Sequence, residues 1–276
     1  MELGIFAKTF ARRSVEQVFE AVHNHGLSCA QFNLSCAGLP SMPDRIDENT
    51  ARMIGREARA RGIRLSAVSG TFNMAHPDEA HRCRGLRRLA VLAAICGEMG
   101  TSVITLCTGT RDPEHMWRRH ADNCSAAAWM AMADTVGQAL QIAEAHKVTL
   151  AIEPEGANII STAAKARKLL LEMGSPYLKI VMDAANLYDP RQTKPMNDVL
   201  SEAFHLLGEH IVIAHAKDVS LAGDSPFVAA GQGLIDYAHY VQLLRAHGFD
   251  GALILHGLSE EQVGDSVQFL RSQLQA

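Results

Sequence analysis

Four residues able to bind a metal ion close four short apolar runs in the second half of the chain. Glu153 follows VTLAI, Asp183 follows KIVM, His215 follows VIA in HIVIAHAKD, and His256 follows ALIL. One polar residue at the end of an apolar run is ordinary, because that is where a chain returns to solvent. Four in succession, all of ligand type, point to a shared partner. Two carboxylates with two imidazoles form a mixed oxygen and nitrogen set, which suits Mn²⁺, Zn²⁺, Co²⁺ or Fe²⁺ better than Ca²⁺. The expected cofactor is one divalent metal: Mn²⁺, Zn²⁺, Co²⁺ or Mg²⁺. Such an ion polarises a carbonyl and its neighbouring hydroxyl, while a carboxylate takes the proton from the adjacent carbon. Returning that proton to the other face epimerises; returning it to the next carbon isomerises; losing hydroxide dehydrates. Glu153 is the candidate base as well as a ligand. His256 is a candidate ligand and acid–base group, since imidazole titrates near neutral pH.

Such residues need a frame that brings strand ends together. Strand patterns run over Leu3–Ala7, Cys29–Asn33, Arg64–Val68, Ser102–Leu106, Thr149–Glu153, Lys179–Asp183, Val212–His215 and Ala252–His256. Helical patterns lie between them, near 14–25, 47–61, 79–99, 122–146, 162–173, 195–207, 235–247 and 259–274. Gly26, Gly62, Gly100 and Gly248 follow helical segments, and Ser14 and Ser161–Thr162 precede others as N-caps. Eight strand–helix units predict an α/β fold, a single (β/α)8 TIM barrel over residues 1–276. An open doubly wound sheet is the alternative. It lacks its phosphate loop here, because Ala7-Lys8-Thr9-Phe10-Ala11 contains no glycine. In a barrel of this kind the active site forms at the C-terminal ends of the strands.

Other polar residues fall at the same rim. Glu155, behind Pro154, is a candidate second carboxylate. Lys217 could bind a sugar oxygen or phosphate, or form a surface salt bridge. Asn73 and His76, in SGTFNMAHPD, are candidate pocket residues, with turn roles as the alternative. Cys107 reads as a buried, inert thiol. Arg111, Trp117 and His120 belong either to a lid or to an ordinary loop. Gly231-Gln232-Gly233 is too short a signal for a nucleotide site.

The totals limit the partners. The chain has 276 residues, 47% apolar and 20% charged, with a net charge of −4. There is no basic stripe, so nucleic acid is not expected. No apolar run is long enough for a membrane span. The six cysteines are scattered without a C-x-x-C pair, and the first residues lack the order of a secretory signal. Free thiols and a cytoplasmic location are therefore expected. A homo-oligomer is compatible with the sequence, but no interface can be read from it.

EPEGANIISTAAKARKLL, KIVMDAANLY, HIVIAHAKDVS and GQGLIDYAHYVQLLRAHGFDGALILHGLSE together resemble the second half of the sugar phosphate isomerase/epimerase family. These are xylose isomerase-like TIM barrels. They include ketose 3-epimerases, hydroxypyruvate isomerase and inosose dehydratase, with endonuclease IV a relative. The resemblance implies a metal held by Glu153, Asp183 and His215, with a fourth ligand at the end of strand 8. Family epimerases carry a glutamate there, and this chain has His256. Asn186 falls where related epimerases place a substrate-contacting side chain; an Asx turn is its alternative role. The implied function is a metal-dependent isomerase or epimerase of a small sugar, keto acid or sugar phosphate. A dehydratase on the same scaffold, or a barrel that binds metal or sugar without catalysis, are the alternatives. A phosphodiesterase is disfavoured, because Asn186 stands where endonuclease IV relatives carry a metal-binding histidine.

Overall fold

In a computed structural model the described residues form a closed ring of eight parallel strands surrounded by eight α-helices. The structure describes residues 1–188, 194–221 and 227–275. The barrel strands are β1 (Glu2–Phe6), β2 (Cys29–Phe32), β3 (Arg64–Ser69), β4 (Val103–Leu106), β5 (Thr149–Ile152), β6 (Leu178–Asp183), β7 (Ile211–Ala216) and β10 (Ala252–Leu255). They follow chain order around the ring, and β10 closes it against β1, with Ile5 opposite Leu255. A two-stranded antiparallel hairpin, β8 (Asp218–Val219) with β9 (Phe227–Val228), follows β7 and had no counterpart in the sequence pattern.

The helices α1 (Val15–Asn24), α2 (Glu48–Ala60), α3 (Glu79–Met99), α4 (Ala126–His146), α5 (Ala163–Met173), α6 (Met196–Leu207), α7 (Tyr237–Ala246) and α8 (Val263–Gln275) pack outside. Their limits follow local chemistry. Ser14 and Thr162 accept from the backbone N–H groups of Gln17 and Lys165, satisfying donors that a helix start leaves open. Gly100 ends α3 at φ 89°, in the left-handed region that side chains avoid.

Two hydrophobic clusters result, because each parallel strand is covered on both faces. The larger lies between strands and helices and includes Phe19, Leu89 and Phe204. The smaller comprises Cys29, Ala67, Ala151, Val181, Ile213, Ala252 and Ile254, with Phe6 and Val103 packed against it. Its members come from strands all around the ring, so this cluster fills the barrel interior.

Candidate active site

Side chains two apart on a strand share a face. Moving two residues on from the interior cluster therefore gives the next layer up. From Cys29, Ala67, Val103, Ala151, Val181, Ile213 and Ile254 the step leads to Gln31, Ser69, Thr105, Glu153, Asp183, His215 and His256. An apolar plug is thus capped by a polar layer in which all four proposed ligands lie. Glu153 and His256 fall one residue beyond their strands, while Asp183 and His215 lie within theirs. The register between β6 and β7 shifts at Ile180/Val181, which sets Asp183 opposite His215; an unbroken ladder would have put Ala214 there.

Asp183, His215 and His256 each offer a ligand atom, and the three atoms lie within 4.8 Å of one another. Glu153 stands beside this triad, its Oε1 3.4 Å from His215 Nδ1. Asp183 Oδ2 lies 3.6 Å from the same nitrogen. Among the described residues, Asp183 Oδ2 and His215 Nδ1 are buried side-chain atoms without a hydrogen-bond partner. Lys217 Nζ approaches Asp183 Oδ2 to 3.1 Å as an ion pair. Buried polar atoms are normally hydrogen-bonded, and here a carboxylate oxygen and an imidazole nitrogen lack such a bond within a cluster of ligand-type atoms. The residues present fit a cation.

The other atoms of these side chains are committed. Asp183 Oδ1 accepts from the backbone N–H groups of Ala185 and Asn186. Asn186 Nδ2 donates to Glu153 Oε1 at 2.6 Å, and Asn186 Oδ1 accepts from Lys217 Nζ at 2.7 Å. Burial disfavours the charge on Asp183, but Lys217 and His215 outweigh it and hold the carboxyl well below its usual range. Burial likewise opposes charge on His215, yet Glu153 and Asp183 push its imidazole up to about 9. His256 goes the other way. Burial first, then the charges of His215 and Lys217, bring it down to about 4, so its ring is neutral near pH 7. Phe6 packs edge-on against it with centroids 5.4 Å apart.

Above the layer opens a cavity of about 460 Å³, lined by Gln31, Glu153, Glu155, His215, His256 and Trp117 among others. Hydroxyls of Ser41, Ser69, Thr71 and Thr105 also line it. Its size and density of hydrogen-bonding groups suit a small polar molecule.

Residues 8–273 match the family described as xylose isomerase-like TIM barrel. The chain belongs to that family. It is 25% identical over 191 residues to L-ribulose-5-phosphate 3-epimerase UlaE of Escherichia coli K12, covering 68% of this chain and 61% of that enzyme. The chain thus spans about three fifths of the relative's length. Among solved structures, a D-tagatose 3-epimerase-like protein superposes with TM-score 0.78 at 14% identity, covering 100% of this chain and 97% of the other. The IolI protein, whose structure holds a zinc atom, superposes with TM-score 0.75 at 16% identity, covering 99% and 96%. These likenesses establish the xylose isomerase-like fold. Among the described residues no helix is long and apolar enough to cross a membrane, and all six cysteines are free.

Within this family frame the other rim residues divide. Glu155 lines the cavity, and burial raises its pKa. Lys217 does not form a surface salt bridge. It is buried between Asp183 and Asn186, with Nζ 4.0 Å from the Phe227 ring centroid of the β8–β9 hairpin. Asn186 touches Glu153 and so does more than close a turn. Asn73 and His76 do not line the cavity. Asn73 Oδ1 accepts from the backbone of Ala75 and Thr110, and His76 binds Pro113 O and Asp78 N, so both brace loops. Arg111 turns inward to Ala75 O, and His120 Nδ1 accepts from Asp122 N. Trp117, 48% exposed, does reach the cavity wall. Cys107 is buried with Sγ 4.0 Å from Glu153 Oε2, and burial raises its thiol pKa. The Gly-Gln-Gly stretch has a structural role, because Asp218 accepts from the N–H groups of Gly231 and Gly233. A side chain at Gly233 would meet Val219 O at 2.2 Å. Sequence reasoning passed over Gln31, Ser69 and Thr105, although the two-residue strand step would have found them.

Proposed function

We propose that the chain is a metal-dependent isomerase or epimerase of a small sugar, keto acid or sugar phosphate. The observation that carries this reading is the cluster of ligand atoms from Asp183, His215 and His256, within 4.8 Å of one another, beside Glu153 at the floor of a small polar cavity. Asp183, His215 and His256, with Glu153 as the fourth ligand, would hold one divalent cation. Zn²⁺, Co²⁺, Mn²⁺ and Mg²⁺ are the candidates, and the zinc in IolI supports the first. When bound, the cation supplies Lewis acidity toward a carbonyl and an adjacent hydroxyl.

The chain's own residues account for the proton. Glu153 Oε1 is fixed by Asn186, which leaves Oε2 to take a proton from the carbon beside the carbonyl. Lys217 offsets the negative charge of Asp183 and Glu153. Glu155 and the hydroxyls of Ser41, Thr71 and Thr105 line the cavity and would orient a polyol. The uncharged imidazole of His256 takes the position of the glutamate in family epimerases. As a ligand its lone pair is occupied, which leaves Glu153 as the principal base and favours isomerisation over epimerisation. Dehydration of the same substrate class is the second reading, since the same proton abstraction precedes loss of hydroxide.

The test is incubation of the zinc-, manganese- or cobalt-loaded protein with a panel of ketoses, aldoses and their phosphates in D₂O. Deuterium should enter at the carbon beside the carbonyl. A panel without exchange under any of these metals would refute the reading.

A further inference from the structure

We infer that Gln31, on the opposite side of the barrel from β6, is a positioning residue that fixes the tautomer of His215 and thereby aims its Nδ1 lone pair at the cation. The inference rests on the proposed metal site and adds a residue that the motifs do not contain.

The geometry runs through four strands. His215 Nε2 lies 2.9 Å from Gln31 Oε1. A carboxamide oxygen only accepts, so Nε2 must carry the proton. In this orientation the amide Nε2 lies 3.3 Å from Ser69 Oγ and 3.2 Å from Thr105 Oγ1, hydroxyls that can accept from it. Those hydroxyls lie 3.5 Å apart and belong to β3 and β4. Gln31, Ser69, Thr105 and His215 are all buried at the floor of the cavity. With Nε2 committed as a donor, Nδ1 is the nitrogen left to coordinate, and it is the orphaned one. Ligating histidines generally depend on such a partner for ring orientation and donor strength, and its loss costs metal affinity.

The test is a Zn²⁺ titration of metal-free protein against a chromophoric chelator, at fixed pH, with folding checked by circular dichroism. Gln31→Leu removes the acceptor and should weaken Zn²⁺ binding about 10–100-fold. Gln31→Glu keeps an acceptor for Nε2–H, and Ser69 and Thr105 can donate to it, so affinity should stay within about threefold of the parent, by the same acceptor argument. A residue that served only as packing would lose affinity alike in both variants, and one that only touched substrate would lose it in neither; either pattern overturns the inference. If Gln31→Leu does not fold, Ser69→Ala combined with Thr105→Val releases the amide instead. That variant should weaken binding, and unchanged binding would overturn the inference. A parent protein that binds no Zn²⁺, Mn²⁺ or Co²⁺ would remove the metal site itself, a different failure from an insensitive Gln31.

Discussion

Asn186 joins Glu153 to Lys217 through a single carboxamide, donating to Glu153 Oε1 at 2.6 Å and accepting from Lys217 Nζ at 2.7 Å. All three residues are buried. The amide therefore fixes one oxygen of the glutamate, and in the proposed mechanism the other takes the proton. It also keeps the ammonium from pairing directly with the base.

Replacing Asn186 with Leu should leave a carboxylate oxygen and an ammonium without this partner. Buried groups stripped of a hydrogen bond cost about 1–3 kcal/mol, more where charged. The variant should lose stability by at least that amount in urea unfolding, and any deuterium exchange should fall with it. Parent-like stability would mean that water replaces the amide, and the division of roles on Glu153 would then have no basis.

Glu153→Gln tests the base while keeping the side chain's shape. General acid–base groups contribute about 10²–10⁴-fold, so exchange at the carbon beside the carbonyl should fall by about that factor. Asp183, His215 and His256 remain, and Zn²⁺ should still bind, more weakly. Exchange that survives at the parent rate would assign the proton transfer to Glu155 or His256 instead.

The pKa of His215 gives metal binding a defined pH dependence. Without a cation its imidazole, pushed up to about 9 chiefly by Glu153 and Asp183 against burial, holds a proton on Nδ1 at neutral pH. Binding must displace that proton. His256, brought down to about 4, has none to lose above pH ~5. Affinity should therefore rise about tenfold per pH unit toward pH 9 and then level off. A slope of two would show that both histidines titrate together. The stability of the cation-free protein should run the other way. The contribution of His215 is fully present below the unfolded value of about 6.5 and is lost as pH rises through about 9. Urea midpoints measured with chelator present, between pH 6 and 10, check the sign.

The barrel and the four ligand-type residues were legible because both depend on short-range pattern. Alternating strand and helix periods fix the number of units, and polar residues after VTLAI, KIVM, VIA and ALIL mark the rim. Asn73 and His76 misled because a loop near a site contains the same residue types as the site itself. Their side chains are consumed by the backbone of Ala75, Thr110, Asp78 and Pro113. For Lys217 the sequence left open a role at the substrate and a surface salt bridge, because nothing local records the β8–β9 hairpin that covers it. Gln31 in CAQF was hidden differently. It lies 184 residues from His215, and only the closed ring brings the two together. The register shift that sets Asp183 opposite His215 leaves no signature in either strand.

His256 is where this chain departs from the epimerase pattern, and restoring the glutamate tests what the departure does. Asp183 and two imidazoles favour borderline ions such as Zn²⁺, Co²⁺ or Fe²⁺, whereas a third carboxylate shifts the balance toward Mn²⁺ and Mg²⁺. His256→Glu should therefore raise the ratio of Mn²⁺ to Zn²⁺ affinity by about tenfold or more, by the same donor preference. The ring of His256 packs against Phe6 at 5.4 Å and His215 at 5.1 Å between centroids. A glutamate there gives up those contacts, but a bound cation stabilises the new charge. The variant should thus be less stable than the parent in chelator and recover on adding Mn²⁺. It should also gain exchange at the opposite face of the substrate carbon, visible as a new epimer by NMR. If metal preference and product both stay unchanged, His256 lies outside the coordination sphere, and the site reduces to Glu153, Asp183 and His215.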